Sequence, residues 1–272
     1  MPHNTAISAL FISHGAPTFA LEPGAPGEAL EAVGQRLLTQ HVRALIVVSP
    51  HWRSQHLQVT THAQPAIVHD FFGFPKALYG LNPLINGDPA LALQLVELLA
   101  LRGLPVEAAP QQGFDHGVWV PYLHLFPQGG PPVVQLSMPV DWTAREAFAT
   151  GQALSAFAHH HRAVVVGSGS LTHNFSDLNL GGTSQGKAAP TYVNEFTRWI
   201  GAQLEARNSA GIAQADQLAP NFHRAHPDDD HYLPLPFAVG AAAVGTWGFE
   251  ELPEDVRYGA LSMQSHVFTR PS

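Results

Sequence analysis

Five stretches set histidine beside residues that bend a chain. They are 13-SHG-15, 49-SPHW-52, 113-GFDHGVW-119, 172-THN-174 and 226-HPDDDHYLPL-235. The last holds His226 and His231 on either side of Asp228, Asp229 and Asp230. Neutral imidazole is a good ligand for Fe(II), Zn and Cu, and imidazole combined with carboxylate favours non-haem Fe(II) or Zn. The three acids would either supply a carboxylate ligand or orient a histidine ligand from behind. Histidine is also abundant, 17 residues against 13 Lys and Arg together. There is no cysteine, which removes disulfides, thiolate nucleophiles, zinc ribbons and Fe–S clusters at once. The metal chemistry that remains is an open, catalytic centre with room for substrate.

Such a centre needs elements that bring its ligands together. Short apolar runs predict buried strands at Ile7–Ser13, Ala44–Ser49, Pro132–Ser137, Ala163–Gly167 and Leu261–Thr269. Helical spacing marks Gly27–Gln40, Pro89–Leu101, Trp142–His160 after Asp141 as N-cap, Thr191–Ala206 and Phe237–Val244. Strands alternating with helices predict an α/β fold, a central, mostly parallel or mixed sheet with helices on both faces. No linker or repeat divides the chain, so a single catalytic domain over 1–272 is expected. Gly181–Lys187 and Asn208–Asn221 are expected loops. Ligands in open α/β sheets bind beyond the carboxyl ends of the strands. His14, His51 and His173 each follow a candidate strand, and His116 sits in a Gly-flanked loop. One histidine after a strand is commonly a satisfied polar residue; four such placements point to a shared metal.

Other histidines call for less. His159, His160 and His161 close a helix, where they suit the negative end of its dipole. His3, His41, His56, His62, His124 and His266 are expected to be ordinary polar residues, His226 a tolerant turn residue, and His69 and His223 stay unassigned. The net charge of −8 and the absence of any Lys/Arg run argue against nucleic acid as a partner. No stretch is apolar enough for a membrane span. The N-terminal MPHNTAISALFISHG does not resemble a signal peptide, and the expected location is cytoplasmic. A metal-dependent hydrolase fits the same histidines. A serine hydrolase on Ser168 or Ser170 fits less well, because 167-GSGSL-171 lacks the second glycine of a nucleophile elbow.

Taken in order, 11-FISHG-15, 49-SPHW-52, 69-HDFFGFP-75, 113-GFDHGVW-119, 167-GSGSLTHN-174 and 231-HYLPL-235 resemble the class III extradiol ring-cleaving dioxygenases. The resemblance is to the DOPA-dioxygenase-type branch, related to the catalytic subunit of protocatechuate 4,5-dioxygenase. It spans residue 11 to about 245, with Ala16 departing from the serine usual after His-Gly. It implies His14, His51 and His231 as metal ligands, with Asp230 as the fallback for the third. It implies His173 as the acid/base histidine, titrating near neutrality, and His116 as a second histidine near the substrate. The implied cofactor is Fe(II), with Zn able to occupy the same ligands. The implied partners are a small catechol and dioxygen, and the implied reaction opens the ring next to the diol.

Overall fold

The structure is a computed structural model that describes residues 5–179 and 189–271. The expected loop at Gly181–Lys187, and His3, lie outside the described residues.

The strands are β1 (Thr5–Ser13), β2 (Ala44–Ser54), β3 (Leu57–Thr60), β4 (Val106–Ala109), β5 (Val133–Pro139), β6 (Ala163–Gly169), β7 (Gly248–Glu251), β8 (Val256–Arg257), β9 (Leu261–Ser262) and β10 (His266–Pro271). Eight of them form one sheet in the order β4-β3-β5-β2-β6-β1-β10-β7, while β8 and β9 pair as a separate ribbon. The inner strands β5, β2, β6 and β1 run parallel, and β10 and β7 add antiparallel at one edge. The sheet is therefore mixed, within the expected class.

The helices are α1 (Gly24–Thr39), α2 (Lys76–Tyr79), α3 (Pro89–Leu101), α4 (His116–Leu125), α5 (Ala144–His160), α6 (Thr191–Glu205), α7 (Ser209–Ile212), α8 (Ala215–Leu218), α9 (Phe222–Ala225) and α10 (Pro234–Ala242). Strict alternation along β2 decides which face each one covers. Leu45 and Val47 join Leu30, Val33 and Leu37 of α1 and Val118 and Leu125 of α4. Ala44, Ile46 and Val48 join α3, α5, α6 and α10 on the other face. In β1 the alternation slips: Ile7 packs with Leu10 and Ile12 rather than with Ala9 and Phe11. The cause is a bulge between Ile7 and Ala9 in the pairing with β10, which inserts one residue and shifts the side chain to the opposite face.

Several boundaries differ from the sequence-based expectation for identifiable reasons. Strand β2 runs five residues further, through Pro50 and His51 to Ser54, with its register to β5 broken between Val48 and Arg53. Helix α5 is capped by Thr143 in a reciprocal box with Glu146, not by Asp141. The run Leu261–Thr269 splits into β9 and β10. Asn208–Asn221 holds the single-turn helices α7 and α8. His116 is not in a loop but begins α4, whose N-cap Asp115 accepts a hydrogen bond from the Gly117 N–H. Among the described residues no helix is long and apolar enough to cross a membrane.

Candidate metal centre

The order β2-β6-β1 makes the three histidine-bearing strands immediate neighbours. Their carboxyl ends thus deliver His14, His51 and the segment leading to His173 to one end of the sheet. His231 arrives from the turn before α10. That turn presses directly onto β6, where a Cβ at Gly167 would collide with the Pro234 carbonyl and one at Gly169 with the His231 carbonyl. The glycines of 167-GSGSL-171 thus serve close approach of two backbones, locked by a hydrogen bond from the Ser170 N–H to the His231 carbonyl at 3.0 Å.

The five candidate histidines are brought together. Ring centroids lie 5.1 Å apart for His14 and His51, 5.3 Å for His14 and His231, and 5.1 Å for His51 and His231. His116 lies 4.0 Å from His51. His173 stacks flat on His231, with centroids 3.5 Å apart and planes within 5°. One ligand atom from each of His14, His51 and His231 falls within a 4.8 Å span.

Each of these three rings also has a polar group against its Nδ1. His14 Nδ1 lies 2.9 Å from Ser168 Oγ, and that hydroxyl donates its own hydrogen to the Gly117 carbonyl. Ser168 must therefore accept from His14, which leaves His14 Nε2 as a bare lone pair. The Gly117 carbonyl is free for this because residue 121, the position whose N–H would bond to it in the helix, is proline. His231 Nδ1 donates to Asp230 Oδ1 at 2.7 Å, and the same oxygen accepts the His231 backbone N–H at 2.6 Å. His51 Nδ1 faces Asp70 Oδ2 at 3.4 Å.

The centre is electrostatically hostile to protons. Burial, reinforced by the fields of His51, His231, His116 and His173, holds His14 well below the ordinary histidine value. Burial also drives His231 far down, with His173, His51 and His116 adding to it. His51 is lowered by burial and by His116, against the opposing pull of Asp70. His173 falls to about 4, through burial that Asp230 and Asp228 only partly offset, so the expectation that it titrates near neutrality does not hold. Burial pushes the Asp230 carboxyl up, while the field of His173 and the His231 backbone hydrogen bond pull it down.

A metal ion fits this donor set. Nε2 of His14 and Nε2 of His51 face each other at 3.1 Å. Two imidazole nitrogens each about 2.1 Å from one ion, at roughly a right angle, are about 3 Å apart. Neutral imidazoles with lone pairs turned inward and Nδ1–H groups held from behind are what a transition-metal site requires.

Several residues at this site carry no mark in the sequence that separates them from ordinary loop residues. Asp70, inside 69-HDFFGFP-75, contacts both His51 and His116. Asp115 is buried and takes hydrogen bonds from Ser49 Oγ at 2.7 Å and Gln135 Nε2 at 2.5 Å, which braces the Ser-Pro-His-Trp stretch of β2 against α4. Its position directly before His116, with a glycine two residues on, is a capping signal that could have revealed it. Ser168 is fully buried and committed to His14 and Gly117, so it is not placed as an accessible nucleophile. His226 is not an exposed turn residue. It is 1% exposed, donates from Nε2 to the Leu171 carbonyl at 2.9 Å, and packs among Phe196, Phe222 and Tyr232. His69 meets the Leu81 carbonyl through Nε2 at 2.9 Å.

Fold and site together describe a metal-dependent α/β enzyme. Residues 8–268 match the family described as the catalytic LigB subunit of aromatic ring-opening dioxygenase, and the chain belongs to that family. It is 33% identical to a 4,5-DOPA dioxygenase extradiol of Escherichia coli (strain K12), covering 96% of this chain and 94% of that one. It is 31% identical to a 4,5-DOPA dioxygenase extradiol of Beta vulgaris, covering 95% of each. A crystal structure of an uncharacterised Escherichia coli K12 protein superposes with a TM-score of 0.73 at 27% identity, over 97% of this chain and 99% of that one. The protein is an extradiol aromatic ring-opening dioxygenase.

Proposed function

We propose that this enzyme uses Fe(II), held by His14, His51 and His231, to open the ring of a catechol with dioxygen in a single catalytic domain spanning residues 1–272. The observation that carries the ligand assignment is that the three rings each place one ligand atom within a 4.8 Å span. Each has a polar group at Nδ1, and the His14 and His51 Nε2 atoms stand at 3.1 Å. When bound, ferrous iron would supply Lewis acidity toward the catechol hydroxyls and the redox chemistry that dioxygen requires, whereas zinc would fill the same ligands without redox activity. Asp230 is not needed as a ligand in this reading, because its Oδ1 is occupied by His231.

The remaining work falls to the protein. His173, uncharged at neutral pH through burial, takes the proton of a catechol hydroxyl and later returns one to the product side. Its stacking on His231 fixes the plane of that ring beside the ligand it serves. His116 stands between His51 and Phe71 and orients the substrate hydroxyl. A DOPA-like catechol is the first substrate to try, in keeping with the names of the relatives. The metal-dependent hydrolase reading gains no support from the relatives, which are named for ring opening. The test is a catechol panel with protein loaded anaerobically with Fe(II), read by oxygen uptake and by a yellow ring-opened product. Ester hydrolysis by the zinc form with no oxygen uptake by the iron form would replace this reading with a hydrolase.

A further inference from the structure

His116 and His173 both border the centre, yet they are held in different ways. The His173 ring stacks on His231 and meets the edge of Phe175 at 4.6 Å. Among the described residues its ring nitrogens make no hydrogen bond. The His116 ring is fastened by a carboxylate. Asp70 Oδ2 accepts from His116 Nδ1 at 2.9 Å, and Asp70 Oδ1 accepts from the His116 backbone N–H, also at 2.9 Å. The same Oδ2 lies 3.4 Å from Nδ1 of His51. Phe71, the residue after Asp70, stands edge-on to His116 with centroids 5.7 Å apart and planes 88° apart. One loop, 69-HDFFGFP-75, thus grips His116 by its backbone, its Nδ1 and its ring edge.

This arrangement has a consequence for the hydrogen on the ring. An ionised carboxylate only accepts, so the hydrogen of neutral His116 must sit on Nδ1. Nε2 then carries a lone pair and makes no hydrogen bond among the described residues. A histidine whose two nitrogens are distinguished by a carboxylate presents one fixed hydrogen-bonding character to whatever approaches the other nitrogen.

We propose that Asp70 is a positioning residue of the reaction: it holds His116 as the Nδ1–H tautomer, so that Nε2 accepts a hydrogen bond from a substrate hydroxyl, and it steadies His51 through the same oxygen. This deepens the dioxygenase reading and rests on it for the identity of the hydroxyl. Asp70 reaches the substrate only through His116. Its removal therefore acts on orientation and tautomer, not on the number of metal ligands.

The test is Asp70→Asn, which keeps the shape. If the amide oxygen retains the His116 backbone N–H, the amide nitrogen comes to face Nδ1, and His116 must move its hydrogen to Nε2. The zinc-loaded protein, which is diamagnetic, allows imidazole 15N chemical shifts to report which nitrogen of His116 carries the hydrogen. In the wild type that nitrogen is expected to be Nδ1, and in Asp70→Asn it is expected to be Nε2. With iron at saturating concentration, kcat should fall on the order of 100-fold, within the range general for a misoriented proton-handling group, while KM stays close to wild type and metal affinity falls by no more than the roughly 10–100-fold typical of an outer partner, because Asp70 also backs His51. Asp70→Glu should restore the Nδ1–H form and part of kcat. A hydrogen on Nε2 in the wild type overturns the proposal without any variant, and so covers the case in which Asp70→Asn fails to fold. A loss of metal affinity well beyond that range in Asp70→Asn would instead make the carboxylate a ligand, and unchanged kcat would leave it no role in turnover; either overturns the proposal. If the wild type itself takes up no oxygen with any catechol, the dioxygenase reading fails, while the 15N result still decides whether Asp70 sets the tautomer.

Discussion

Histidine is dense at both ends of the sheet, with opposite results. Around the carboxyl ends of β1, β2 and β6, five imidazoles crowd together with centroids down to 3.5 Å apart. At the other end, His159, His160 and His161 follow one another, and the rings of His160 and His161 come within 4.9 Å. Crowding alone therefore does not distinguish the two regions. What differs is what lies behind each ring. In the first region Ser168, Asp70 and Asp230 face the Nδ1 atoms of His14, His51 and His231. In the second, His159 and His160 are exposed at the end of α5, where water can satisfy either nitrogen. A ligand set is made by partners that decide which nitrogen is free, and those partners come from as near as the adjacent residue, Asp230 for His231, and from as far as Ser168 for His14.

Breaking the ligand set should give the largest effect. His231→Ala is expected to lose most bound metal and essentially all oxygen uptake, with an affinity loss beyond the roughly 10–100-fold typical of removing an outer partner. Metal analysis after gel filtration checks this. Next comes His173→Ala, which should keep its metal and lower kcat on the order of 100- to 10,000-fold, since it removes proton handling and not coordination. Oxygen uptake measured alongside metal content separates the two variants. Ser168→Ala removes the group that fixes the His14 hydrogen and leaves the Gly117 carbonyl without its partner; stability should fall on the order of 1–3 kcal/mol, and metal affinity should drop roughly 10–100-fold. A competition titration against a chelator reads that change.

A smaller effect should come from His226, which shares its segment with His231 but not its role. Burial drives His226 from 6.5 to about 3. The unfolded chain therefore takes up this proton first. The full stability is present above the unfolded value and is lost as pH falls below it toward the folded value, on the order of 2 kcal/mol by pH 5 for one such group. Thermal unfolding of metal-free protein between pH 7 and 5 should show the loss, and His226→Gln should flatten that slope. Replacing His159, His160 and His161 together by alanine should give the smallest effect, within about 0.5 kcal/mol of wild type and with metal content and oxygen uptake unchanged.

The parts of this site that were legible in the sequence are those governed by short-range pattern. Apolar runs marked β1, β2, β5 and β6, and the rule that ligands gather at strand ends then grouped His14, His51 and His173. Helix α4 was not legible, because Gly117 and Pro121 argue against a helix, while Asp115 as N-cap and Ser168 as partner of the Gly117 carbonyl make it viable. Asp70 was hidden because its partner His116 lies 46 residues away, and no periodicity reports such a contact. His226 looked like a turn residue because proline and three acids follow it. Its burial depends on Phe196 in α6 and Phe222 in α9, a packing that local composition does not encode. The short strands β3, β4 and β7 left too few residues for an alternation to show.

The most direct test of the central claim, that the three Nδ1-backed histidines hold the catalytic metal, is Fe(II) stoichiometry and catechol-dependent oxygen uptake measured on the same anaerobically loaded samples of wild type, His14→Ala, His51→Ala and His231→Ala. The account predicts about one iron per chain and oxygen uptake in the wild type, with both lost in each variant. Full iron occupancy with sustained oxygen uptake in any one of the three variants would contradict it.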